Sequence, residues 1–109
     1  MAEQKLPWYK RELTVLPVSM VDIVTMTQNF SVMLEAGLTV PESLDVLSEQ
    51  STGKLKAVLK QVDAEVQAGG MLGDALEKEY KTFGPIFISA VRVGEGSGTL
   101  AENLTHVAN

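Results

Sequence analysis

Glu95 and Glu102 are the residues whose types and setting come nearest to chemistry. They sit in and just after a glycine-rich run, Val93-Gly94-Glu95-Gly96-Ser97-Gly98-Thr99-Leu100. Carboxylates are hard oxygen ligands, and two of them brought together at a corner of the chain are donors that Ca²⁺ accepts. The same residues have a plainer use. Thr99 and Glu102 form a Thr-x-x-Glu capping box, in which hydroxyl and carboxylate satisfy the free N–H groups of a new helix. Glu95 then serves as a cap or an ion-pair partner. Capping is the expectation here, and a Ca²⁺ site at Glu95 and Glu102 is its rival. The three glycines also suggest a phosphate cradle built from backbone N–H groups. No strand precedes them, no lysine follows the last one as a P-loop needs, and Glu95 opposes an anion. The run therefore reads as helix end, tight turn at Gly94, Gly96 and Gly98, and helix start.

No other constellation offers a reaction. His106 is the only histidine, and there is no cysteine to act as nucleophile, metal ligand or disulfide partner. No Gly-x-Ser-x-Gly elbow, His-Glu-x-x-His helix, Walker loop or EF-hand loop occurs. Asp63 with Glu65, and Glu77 with Glu79, are solvated charges at helical spacing. The expectation is a protein that is not an enzyme.

The elements that position these residues read as helices. Ser19 caps the first, with Asp22 in its first turn. Ile23, Met26, Phe30, Met33 and Leu34 recur at three- and four-residue steps, and Gly37 closes the helix. Met20, Val24 and Val32 lie off that stripe and mark a self-association face. Thr39-Val40-Pro41-Glu42 is a capping box with proline in the first turn. It starts a short helix with Leu44 and Leu47 inward, ending near Gln50. After a turn at Ser51-Thr52-Gly53, Leu55, Val58, Leu59, Val62 and Val66 line a third helix, closed by Gly69-Gly70. Gly73-Asp74 opens a fourth with Ala75, Leu76 and Tyr80. Phe83-Gly84-Pro85 breaks the pattern before a fifth, with Ile86, Phe87, Ala90 and Val91 inward. Leu100, Leu104 and Val107 line the last. No segment alternates as a strand does, so the fold is all-α, a compact six-helix bundle.

A chain of 109 residues fits one domain with its own core. Residues 1–18 read as an arm or linker before a domain at 19–109. Trp8 and Tyr9 beside Lys10 and Arg11 suit either a membrane interface or packing on the domain. The net charge of −5, without a concentrated basic surface, argues against nucleic acid and for a basic protein partner. No run of about 18 apolar residues spans a bilayer, and no signal peptide precedes the domain, so the fragment is expected to be soluble. The helical pattern running to the last residue suggests a piece of a longer protein.

Three segments carry a family resemblance. The run from Phe30 through Ala36-Gly37-Leu38 to Pro41 and Leu44 resembles its first signature. Val66-x-x-Gly69-x-x-Leu72-x-x-Ala75-Leu76 resembles the second. Phe83-Gly84-Pro85, followed by Gly94-Glu95-x-Ser97-Gly98-x-Leu100, resembles the third. Together they are similar to the type II secretion system F domain, over about residues 19 to 109. Gly73 departs from it, since the family often has serine or another cap there. The resemblance implies one of two six-helix copies, the first, on the cytoplasmic side of a bacterial inner-membrane platform protein. That protein serves type II secretion or type IV pilus assembly. Its implied partners are the assembly ATPase and other platform proteins; the surplus apolar surface at Met20, Val24 and Val32 adds the expectation of a homodimer or higher homo-oligomer. The implied function is to couple the ATPase to pilin or pseudopilin assembly without catalytic residues or a required cofactor. The rival readings are a metal- or nucleotide-binding accessory domain of an enzyme and a soluble helical regulatory module.

Overall fold

The computed structural model describes residues 18–108. The arm, with Trp8, Tyr9, Lys10 and Arg11, lies outside the described residues apart from Val18, as does Asn109. Six helices follow: α1 (Met20–Glu35), α2 (Val40–Gln50), α3 (Gly53–Gln67), α4 (Leu72–Glu77), α5 (Tyr80–Ser97) and α6 (Leu100–Ala108). There is no strand among the described residues.

Local chemistry sets most of the boundaries. Ser19 Oγ accepts from the Asp22 N–H at 3.1 Å, which starts α1. Gly37, at φ 96°, takes the left-handed position just past its end. Thr39 and Glu42 make both arms of the capping box of α2, at 3.2 and 2.9 Å. These backbone and hydroxyl bonds from Thr39 hold the Glu42 carboxyl below its ordinary pKa. α5 contains a break at Gly84, whose φ of 81° and ψ of 167° are not helical. Proline disfavours α geometry in the residue before it, so Pro85 forces the break and glycine absorbs it.

Neighbouring helices pack in sequence from α1 to α6, and α6 closes back on α1. The shared core is apolar, with Phe30, Leu44, Leu59, Val62, Leu72 and Leu104 among its most enclosed side chains. Phe83 and Phe87 stack on either side of the break, ring centroids 5.2 Å apart. The closure between α1 and α6 is partly polar. The Ser31 and Thr105 hydroxyls lie within hydrogen-bond distance of each other, and each is 3.0 Å from the Ala101 carbonyl, so their two protons serve two of these three contacts at a time.

Several expectations are corrected. Tyr80 belongs to α5 and is half exposed. Ile88, not Ile86, is buried: after the break the inward face runs Phe87, Ile88, Val91 and Gly94, rotated from the Ile86, Phe87, Ala90 and Val91 face that the apolar spacing suggests. The glycine run is not a turn throughout. α5 continues to Ser97, so Gly94, Glu95 and Gly96 are helical and only Gly98, at φ 75°, turns the chain. The Gly98 and Thr99 N–H groups both donate to the Gly94 carbonyl, at 2.9 and 3.0 Å, which completes the helix end.

Candidate interaction surface

Glu95 projects from the last turns of α5 toward the start of α4. Its Oε2 accepts the Leu72 N–H and its Oε1 the Gly73 N–H, each at 2.8 Å. The first N–H groups of a helix have no partner within it. α4 has no cap from its own chain neighbours, since Met71 at the N-cap position supplies no side-chain bond. Glu95 is therefore the cap of α4, supplied from another helix. Gly73 leaves the space over which the Arg92 and Glu95 side chains reach. A Cβ there would lie 2.7 Å from Arg92 Cγ and 3.1 Å from Glu95 Oε1. Arg92 crosses above it to Asp74 at 2.8 Å and Glu77 at 3.3 Å. Those two bonds raise the Arg92 pKa above its ordinary value. The cluster joins the second and third signature segments into one clamp between α4 and α5.

Glu102 is exposed in the first turn of α6. Among the described residues it makes no hydrogen bond or ion pair, and the expected Thr99–Glu102 capping box is not formed. The Thr99 hydroxyl instead pairs with Ser97 Oγ at 2.7 Å. The Asn103 side-chain N–H donates to the Ala90 carbonyl at 3.1 Å and ties α6 to α5. Gly94 lets those helices touch, because a Cβ on it would fall 2.7 Å from Leu100 Cα. Among the described residues no group of three or more His, Cys, Asp or Glu is arranged to hold a metal ion. His106 is exposed on α6.

The feature suited to a partner lies elsewhere. A groove of about 310 Å³ opens between the start of α1, the broken start of α5 and the end of α6. Ile23, Val24, Phe87 and Val107 are among its lining residues. Met20, 79% exposed, and Ile86, 77% exposed, also line it. The break at Gly84 shapes the groove, since Phe83, Gly84 and Pro85 all face it. Of the expected self-association face, Met20 and Val24 belong to this groove. Val32 does not. It is 65% exposed and lines a separate pocket with Gln28, Ser31, Glu35, Thr105 and Ala108. The α1 stripe reads as one face in sequence, but α6 packs along the helix and divides it.

Sequence reasoning missed the groove, the Arg92 bridge and the Ser31–Thr105 closure. Each joins residues from distant segments whose types alone signal nothing. Among the described residues no helix is long and apolar enough to cross a membrane.

Comparison with known proteins bears on what such a surface serves. The family model described as type II secretion system (T2SS), protein F, matches residues 26–109. The type IV pilus assembly protein PilC of Thermus thermophilus is 35% identical over 89 residues, covering 81% of this chain and 22% of its own length. The PilC of Myxococcus xanthus is 32% identical over 88 residues, 80% of this chain and 21% of its own. The type II secretion system protein F of Xanthomonas campestris is 26% identical over 108 residues, 98% of this chain and 27% of its own. The chain thus spans about a quarter or less of the length of several such relatives.

Proposed function

The chain belongs to the type II secretion system protein F family, and from that premise we propose that it is a non-enzymatic scaffold domain of an inner-membrane platform protein. The domain stands on the cytoplasmic face, binds the assembly ATPase and other platform components, and self-associates as a homodimer or higher homo-oligomer. In that position it couples ATPase motion to the assembly of pilin or pseudopilin subunits. One observation carries the reading beyond the family: an open apolar groove rimmed by Met20 and Ile86. A large exposed apolar concavity is the ordinary mark of a protein-docking surface. The clamp at Glu95 fits the same reading, because it holds helices rigid rather than presenting a reactive group.

The test uses the full-length platform protein in its own cell. Val24→Glu places a charge in the groove and Val32→Glu places one outside it. The expected result is loss of pilus assembly or secretion with Val24→Glu, retained with Val32→Glu, at equal protein levels. Purified assembly ATPase should bind the 109-residue chain, and Val24→Glu should weaken that binding. Equal function of both variants, or no binding of the parent chain, would overturn the proposal. Calorimetry with ATP and with Mg²⁺ addresses the rival accessory-domain reading, for which heats of binding would be required.

A further inference from the structure

We propose that the arm preceding α1 folds back on its own domain and seats Trp8 in the groove between α1, α5 and α6. The proposal rests on the reading of that groove as a docking surface and adds its regulation: a partner binds there only by displacing the arm. The groove opens where the arm joins the domain. Met20 and Ile23 line it, and the residues outside the described structure end at Pro17, just before Val18. Val18 and Ile23 stand at the two positions of a hydrophobic staple, one before the Ser19 cap and one in the first turns of α1, and both pack on the core. A staple fixes the angle at which the chain enters its helix, and Ile23 is itself part of the groove wall. Pro17 disfavours helical backbone at Leu16, so the sequence does not continue α1 into the arm.

Trp8 is the occupant that the groove suits. The space of about 310 Å³ is walled mainly by apolar side chains, and Trp8 is the one tryptophan of the chain. A buried indole N–H needs an acceptor. Thr27 lines the groove, and its hydroxyl gives its one proton to the Ile23 carbonyl at 2.7 Å, so its lone pairs remain to accept. Nine residues separate Trp8 from Val18. Fully extended, that stretch covers about 33–36 Å, enough to pass Met20 and turn back into the groove.

Charge selects the same occupant. Residues 1–17 carry Lys5, Lys10 and Arg11 against Glu3 and Glu12, a side-chain net of +1, so the −5 of the whole chain leaves −6 on the rest. Opposite signs favour the arm on its own domain. The same −6 is repelled by an anionic lipid surface, the other place that Trp8-Tyr9-Lys10-Arg11 would suit. A tether this short supplies an effective concentration of about 1 mM. A single aromatic anchor with an intrinsic Kd on the order of 100 μM then fills the groove in about nine molecules of ten. A partner competing for the groove is weakened by about tenfold.

As the one tryptophan, Trp8 reports its own surroundings by fluorescence. In the 109-residue chain its emission should lie to the blue of the urea-unfolded chain and be shielded from acrylamide, equally at every protein concentration. Ile86 lines the groove and is 77% exposed, so Ile86→Glu should shift the emission to the red and admit acrylamide with unchanged helical circular dichroism. Val32→Glu, outside the groove, should do neither. An exposed Trp8 in the parent overturns the proposal, as does shielding that ignores Ile86→Glu. Shielding that appears only with vesicles of phosphatidylglycerol and phosphatidylethanolamine makes the arm a membrane anchor instead. Shielding that grows with protein concentration puts Trp8 on a second copy; either result overturns the proposal. Trp8→Asp should tighten binding of purified assembly ATPase to the 109-residue chain by about tenfold. Unchanged affinity with Trp8 shielded in the parent overturns the competition. No ATPase binding by either chain, with Trp8 still shielded by the groove, overturns the docking reading and leaves the seat of the arm standing.

Discussion

Gly94→Ala and Gly96→Ala should move stability in opposite directions, although the two glycines are two positions apart on one helix. Both have helical φ, so each change gains helix propensity. That gain is about 1 kcal/mol in a helix interior and about half of it near an end. At Gly96 the new methyl meets nothing within 4 Å, and the gain stands alone. The variant should be more stable by about 0.5 kcal/mol, which raises Tm by about 2–4 °C in a domain of this size. At Gly94 the new Cβ would lie 2.7 Å from Leu100 Cα and 3.1 Å from Leu100 N. These are backbone atoms and cannot rotate away. α6 must retreat by about 1 Å to restore contact distance, loosening buried Leu104 and the Asn103–Ala90 bond. Overpacking of this kind costs about 1–3 kcal/mol, so the net loss should be about 1–2 kcal/mol and Tm should fall by about 4–8 °C for each. Urea unfolding followed by circular dichroism, at low micromolar protein, gives both values at fixed m. If Gly94→Ala is as stable as the parent, the close approach of α5 and α6 does not depend on that glycine and the reasoning fails.

Four further outcomes follow from the same geometry. Glu95→Gln aims an amide N–H at one of the two backbone donors it now accepts, so it should cost about 1–2 kcal/mol in urea unfolding; a loss within error would show that α4 needs no cap. Low-millimolar Ca²⁺ should leave the parent Tm unchanged, because both Glu95 oxygens already hold N–H groups; a clear rise abolished by Glu95→Gln would establish the carboxylate site instead. Leu59→Ala should cost about 2–5 kcal/mol and Lys60→Ala, with only an exposed contact to Glu49, within about 0.5, so equal effects would contradict the assigned core. Glu42 has a folded pKa below its ordinary 4.5, so its contribution is present above that value and is lost as pH falls through the lower folded value; acid titration of stability in Glu42→Gln should show a shallower decline, and an unchanged acid limb would refute the box as its source.

The parts of this fold legible in sequence are those whose partners are close in the chain. Ser19 with Asp22, Thr39 with Glu42, and Gly37 after α1 each state a boundary within four residues, and the structure places each as read. Leu55, Val58, Leu59 and Val62 declare a face by period alone, and all four are buried. Glycine is harder to read, because one residue type answers three needs. Gly98 supplies a positive φ, Gly94 supplies close approach, and Gly96 supplies neither within the domain. Nothing local distinguishes them, which is why the run reads as one turn. Glu95 is legible as a cap but not as the cap of α4, since the N–H groups it accepts lie on another helix. The groove is invisible for a related reason. It needs the break at Gly84 and the ends of α1 and α6, and no segment of the sequence contains all three.

The groove brings together Met20, in the first turn of α1, and Ala108, in the last turn of α6. The polypeptide thus enters and leaves the bundle at one place. Topologically the six helices are a closed excursion, contributing almost no length to the path of any longer chain that contains them. A domain attached by two adjacent strands of backbone can swing as a pendant without stretching what lies on either side. Relinking its ends and cutting it at an exposed turn, such as Ser51–Thr52, should give a circular permutant of the same shape. Closing that excursion also carries the largest loop-closure entropy in the fold, since the other helix pairs join near neighbours whereas the contact between α1 and α6 draws together a loop of most of the domain.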